Sequence, residues 1–265
     1  MSIDRIQEVQ KFNPYHDQRG RFASSSSYTR FTIRTKDPNK QYMADRAIAR
    51  EKERHAAATA NPTNDPEYIA GVKRGKPMSH EEADHGNANP WYYAGREYRT
   101  NCQSCIMAYE ARLRGYDVEA QPRNNQNRAQ TALMRDQKVG WRDPKTGQQT
   151  ASVKNPPNIN RQTQVTKWLN DNIEEGARYA FAHGWKGTDG RVGHVISATK
   201  EGGKIKFFDP QSGKNYEGEA ATKYIGRVRA TWNNGYETKG RLELIRLDNK
   251  QLDQITANAV LKGTK

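Results

Sequence analysis

Residues 101–115, NCQSCIMAYEARLRG, read as one helix that begins at a cysteine. Ile106, Tyr109 and Leu113 recur at helical spacing from Cys102, and Glu110 and Arg114 stand four apart as an ion pair. Gly115 supplies a C-terminal stop, so the helix is expected over 102–114. Cys102 then occupies the first turn. Cys105 falls one turn further in and reads as a small packed residue.

Two downstream segments complete a chemical set. GHVIS, residues 193–197, puts His194 on a strand, and FFDPQSG, residues 207–213, puts Asp209 and Gln211 on the next one. If the intervening Glu201-Gly202-Gly203-Lys204 turn has an even loop, Lys200 faces Ile205. Extending that register sets His194 opposite Gln211 and Asp209 opposite Ile196. His194, Asp209 and Gln211 then share one face within side-chain reach.

A thiol nucleophile needs those partners. The acid fixes one imidazole nitrogen and leaves the other to take the thiol proton, and the imidazolium that results stabilises the thiolate. Unpaired amides and the dipole at a helix start favour a thiolate there. The same amides, with the side chain of Asn101 nearby, are candidates to hold an oxyanion. Cys102, His194 and Asp209 are thus the expected catalytic residues, with Asn101 and Gln211 in support. Each also has a structural reading: Cys102 and Cys105 as packed residues or a redox pair, His194 as an ordinary strand histidine, Asp209 as part of a turn, Gln211 as a solvent-facing amide. His183 is a rival base, although HGW reads as a turn into a glycine-rich loop.

Composition narrows the classes. No apolar run approaches membrane-helix length, the N-terminus lacks the apolar stretch of a secretory signal, and only 34% of the 265 residues are hydrophobic. No membrane association and a particle or cytoplasmic setting are expected. With two cysteines in the chain, a structural zinc would need histidines such as His80 and His85; SHEEADHG, residues 79–86, reads better as a polar loop, and neither metal nor cofactor is expected. The net charge of +14 favours non-specific association with DNA, but the basic residues run the whole length without a motif that reads sequence.

The organisation follows from turn signals and periodicity. Residues 1–85 read as an extended, partner-dependent arm with a helix over 41–60. Residues 86–248 read as the hydrolase domain and 249–265 as a C-terminal helix or tail. Within the domain, NANPWYY (87–93) packs beside the site, 116–122 forms a short strand, and WRDPKTG (141–147) is a turn anchored by Trp141. A second helix covers 162–176. Strands cover 178–183, 192–199, 204–209 and 240–247, which makes the fold α+β, a helix-borne cysteine packed on a mostly antiparallel sheet.

NCQSCIMAYEARLRGYDVEA, followed by GHVI and FFDPQSG, resembles the papain-fold toxin domain of bacterial polymorphic toxins and related phage proteins, some of which are glutamine deamidases. The resemblance covers roughly residues 87–247. It implies a papain-like fold and a Cys102-His194-Asp209 triad acting on a protein substrate, at a glutamine side chain or a peptide bond. Arg96 and Glu97 stand where papain-type proteases carry a glutamine ahead of the cysteine, which tells against the peptidase form. Independently, FNPYHDQRGRFASS, residues 12–25, resembles a segment recurring in head-associated proteins of tailed phages. That implies phage head or portal partners through the N-terminal arm, in a virion or the host cytoplasm. The alternative is a virion structural protein that retains the papain-like fold and binds capsid, portal or DNA.

Overall fold

The computed structural model describes residues 65–84, 87–154, 159, 161–185, 193–229, 231–233, 238–240 and 242–264. Of the arm expected over 1–85, residues 1–64 with the helix at 41–60, and His85, lie outside the described residues. The chain divides into Met1–Ala60 and Asn61–Lys265, and the description below concerns the second unit.

The helices are α1 (His80–Ala83), α2 (Cys102–Leu113), α3 (Arg128–Arg135), α4 (Gln162–Asn172), α5 (Gly218–Arg227) and α6 (Gln254–Val260). The principal sheet has seven strands, ordered β3 (Val153–Lys154), β11 (Glu243–Arg246), β4 (Arg178–Trp185), β5 (Gly193–Glu201), β6 (Lys204–Asp209) and β7 (Lys214–Tyr216), with β8 (Val228–Arg229) also pairing β4. All its ladders are antiparallel. Shorter antiparallel pairs join β1 (Val118–Ala120) to β13 (Leu261–Gly263), β2 (Trp141–Arg142) to β12 (Gln251–Leu252), and β9 (Thr231–Asn233) to β10 (Thr238–Gly240).

The β5–β6 hairpin sets the register. Gly202 and Gly203 have φ of 56° and 73°, the left-handed pair that a two-residue primed turn requires. Lys200 therefore faces Ile205, as the sequence predicts. The ladder stops at Ser197↔Phe208, so the facing pairs expected at His194–Gln211 and Ile196–Asp209 do not form. The Asp209 carbonyl instead accepts from the amides of Ser212 (3.2 Å) and Gly213 (2.8 Å), which turns the chain away.

Pleating distributes the core to both faces of the sheet. Ala180, Val195, Phe208 and Ile245 pack with α2, whereas their neighbours Phe181, Ile196, Phe207 and Leu244 pack with Trp168 and Leu169 of α4 and Tyr224 and Ile225 of α5. His183 follows the parity of Phe181, and its strand runs on through Trp185 where the sequence suggested a turn. Cross-strand pairing of His183 with His194 and Gly184 with Gly193 overrides the glycine signal.

Helix α2 differs from the one-sided helix that its periodicity suggested. It is buried nearly all round, Glu110 and Arg112 included. Its stop is sterically fixed: Gly115 has φ 98°, and a Cβ there would lie 2.4 Å from the carbonyl oxygen of Gly75. Three helices are absent from the sequence reading: α1, capped by Ser79 where residues 79–86 read as a polar loop, and α3 and α5, which are short, mostly polar and held by a few buried residues such as Leu133 and Tyr224.

Asn61–Lys265 extends past the expected hydrolase-domain bounds at both ends. Ile69 is buried, the amide of Leu252 donates to Glu67 (3.0 Å), and Ala257, Val260 and Leu261 join the core around α2. The C-terminal helix expected there is α6, and it packs into the core. No helix among the described residues is long and apolar enough to cross a membrane.

Candidate active site

Helix α2 carries Cys102 in its first turn, and β5 and β6 bring His194 and Asp209 to it from the sheet. His194 Nε2 donates to Asp209 Oδ2 at 3.1 Å. The thiol of Cys102 is the other hydrogen-bond partner of the imidazole. With Nε2 committed to Asp209, the nitrogen left for sulfur is Nδ1.

The electrostatics follow from these contacts. Burial alone would depress the His194 pKa, but its hydrogen bonds to Asp209 and Cys102 outweigh that and raise it well above an ordinary histidine. Burial likewise works to raise the pKa of Asp209, and His194, the Ser212 hydroxyl and the Gln211 amide together hold it below the usual carboxylate range. The aspartate is therefore ionised and the imidazole protonated near neutrality.

The Asp-Pro-Gln-Ser-Gly segment explains itself in this geometry. Asp209 Oδ1 accepts from the Gln211 amide at 3.0 Å and Oδ2 from Ser212 Oγ at 2.8 Å, so one carboxylate both folds the turn and orients the histidine. The turn is then tied to the helix start. Turned with its side-chain oxygen towards α2, Gln211 accepts from the backbone amides of Asn101 (3.1 Å) and Cys102 (2.9 Å). Asn89, buried, donates to the carbonyls of Gln211 (2.8 Å) and Tyr98 (2.9 Å).

Asn101 is fully buried and its side chain faces inward. Its Nδ2 donates to the Gln121 carbonyl (3.1 Å) and to Asn89 Oδ1 (3.3 Å), and its Oδ1 accepts from Cys105 Sγ (3.3 Å). Asn101 thus braces the helix start. With the Cys102 amide capped by Gln211, the amides of Gln103 and Ser104 remain at the helix start without an intrahelical acceptor.

Cys105 is buried, and burial together with the nearby Cys102 and Asp209 pushes its thiol pKa well up. Both cysteines are free, without a disulfide. His183, the rival base, is also buried; burial first and the neighbouring His194 second bring its pKa down to about 3. Its Nδ1 lies 3.4 Å from the Phe181 carbonyl, which can only accept, so Nε2 of the neutral ring accepts from the Tyr224 hydroxyl at 3.0 Å. His183 is thereby fixed as a neutral wall beside His194, while Trp185 stacks on the His194 ring at 6.0 Å.

Asn89, Ser212 and Tyr224 were not singled out from sequence. A signal existed for the first two, in the Asn-Pro turn ahead of the helix and the serine of DPQSG; Tyr224 lies on a helix with no sequence link to the site. His80 packs edge-on against Tyr109 and Phe208, with Nδ1 bonded to the Tyr109 hydroxyl. No group of three or more potential metal ligands occurs among the described residues.

Cys102, His194 and Asp209 open onto a cleft of about 1070 Å³. A helix-borne thiol facing a histidine–carboxylate pair on an antiparallel sheet belongs to the papain-like class of α+β folds. Residues 100–214 match the family described as papain fold toxin 1, glutamine deamidase, which supports a papain-fold toxin domain over that span, and the span includes all three residues. No curated protein and no solved structure matches the chain.

Proposed function

We propose that the protein is a cysteine hydrolase that deamidates glutamine side chains of a protein substrate. The observation that carries this reading is the single imidazole shared between Asp209 at 3.1 Å and the thiol of Cys102. The Cys102 thiolate attacks the side-chain carbonyl carbon of glutamine, and the negative charge on oxygen is met by amides at the start of α2. His194 passes its proton to the leaving nitrogen, which departs as ammonia, and a thioester remains. Water then attacks, His194 takes its proton, and the carbon–sulfur bond breaks to give glutamate and free thiolate. Asp209 stays ionised throughout and keeps the imidazole oriented.

The experiment combines two readings. Alkylation of Cys102 by a small electrophile at pH 6 should be fast in the wild type and slow in His194→Ala, and ammonia release from glutamine-bearing proteins should require both residues. Labelling at the rate of free cysteine, indifferent to His194, would sink the proposal. The segment at 12–25 supports association with the head of a phage-like particle, in which the enzyme travels or is delivered to the host cytoplasm. Co-purification with assembled heads, lost on deleting 12–25, tests it.

A further inference from the structure

Across the chain, 44 lysines and arginines face 30 aspartates and glutamates, but the walls of the active-site cleft are more lopsided. Arg99, Arg123, Arg135, Lys154, Lys214 and Arg227 line it, and all six are exposed. The lining carboxylates are Asp209, held by His194 and Ser212, and Glu243, which accepts from the Ser152 hydroxyl. None of the six cations is ion-paired among the described residues; Arg227 lies over the rings of Trp185 and Tyr224. A cleft with unpaired cations and no carboxylate to spare attracts an anion.

The placement of the cations sets the size of that anion. Lys154 is on β3 and Lys214 on β7, the two edges of the principal sheet, while His194 and Asp209 come from β5 and β6 between them. Five strand spacings of about 4.8 Å make a span of roughly 24 Å. An extended chain covers that distance in about seven residues. Arg99, Arg123 and Arg135 add charge from the segments flanking α2 and from α3.

We propose that the cleft selects glutamines lying within an acidic polypeptide stretch of about seven residues, with carboxylates on both sides of the target. The inference rests on the deamidase reading for the bond attacked, and on the cleft alone for the charge of what binds. A polypeptide is favoured over a nucleic acid because the thiol at the middle of the cationic span needs a carboxamide, which glutamine supplies and a phosphodiester chain does not.

The test uses the full chain and two synthetic heptapeptides with a central glutamine, one flanked by glutamates and the other by lysines. Ammonia release gives kcat/KM, and fluorescence anisotropy with Cys102→Ala gives binding independently of turnover. The acidic peptide should be preferred by at least about tenfold at low salt, with the preference collapsing near about 1 M salt. Arg123→Glu and Lys214→Glu should each weaken it by about two- to fivefold while leaving Cys102 alkylation unchanged. Equal binding of the two peptides, or displacement of the acidic peptide by an equimolar oligothymidylate, overturns the inference. If neither peptide releases ammonia but Cys102→Ala still binds the acidic one selectively, the deamidase reading fails and the charge preference stands.

Discussion

The two ends of helix α2 are both buried and polar, yet they do opposite things. At the C-terminal end, Glu110 is fully buried and takes Arg178 (2.9 and 3.2 Å) and Arg114 (3.2 Å); Arg114 in turn reaches Glu67 (3.3 Å) and the carbonyls of Leu247 and Lys250. Charges there are matched, with the carboxylate of Glu110 fully buried and Arg178 half-buried over it. At the N-terminal end, Cys102, His194 and Asp209 are also hydrogen-bonded, but the sulfur faces a cleft. Pairing that satisfies every group makes a brace, and pairing that leaves one nucleophile open makes a site.

Substitutions at the two ends should separate these roles. Cys102→Ala is expected to lower deamidation by about 10⁴-fold or more without changing the denaturant midpoint. Asp209→Asn should cost about 10²- to 10⁴-fold in kcat/KM by releasing the imidazole from its orientation. At the other end, Glu110→Ala leaves the half-buried Arg178 and Arg114 without their shared carboxylate and should cost about 1–3 kcal/mol in urea unfolding, with activity per folded molecule preserved. A Glu110 variant that unfolds no more easily than wild type, or that loses turnover while folded, would erase the distinction.

The paired histidines sharpen it further through pH. His183 has a folded pKa of about 3, so between about 6.5 and 3 the unfolded chain binds the extra proton and stability falls as pH falls, by about 1.4 kcal/mol per unit. Wild type should therefore lose about 2–3 kcal/mol more than His183→Phe between pH 7 and pH 4.5, read from urea midpoints. His194 works in the other direction. Its raised pKa adds stability that is full below about 6.5 and lost as pH rises through the folded value. Asp209, held low, adds stability present above about 3.9 and lost as pH falls through its folded value. The smallest effect belongs to Cys105→Ala, expected to cost about 1–2 kcal/mol and to leave thiol labelling unchanged, because that sulfur is buried and protonated. Loss of rapid labelling in Cys105→Ala would instead make it the reactive thiol.

Much of the fold was legible because its signals are local. The helix beginning at Cys102 and ending at Gly115, the helix from Gln162, and the hairpin through Gly202-Gly203 each declare themselves within a few residues, by periodicity or by a backbone conformation that only glycine adopts readily. The approach of His194 and Asp209 was legible only in part: counting sets their two strands side by side, but the ladder ends at Ser197↔Phe208, and the turn that Asp209 builds carries its carboxylate to the imidazole. Helices α3 and α5 escaped because polar, short segments gain their stability from packing, which periodicity does not register. The strand through His183 escaped because Gly184 is a turn signal locally and a ladder position in the sheet.

The sequence by itself determined the α+β class, the hairpin register and the identity of the candidate thiol, histidine and acid, since each depends on spacing along the chain. The tertiary structure decided what the site is made of: that Asp209 builds its own turn, that Gln211 caps the cysteine helix, that Asn101 braces it from within, and that one histidine is held neutral beside another held protonated. Those properties come from burial and from partners distant in sequence. Desolvation and hydrogen bonding act through space, and spacing along a chain does not record them.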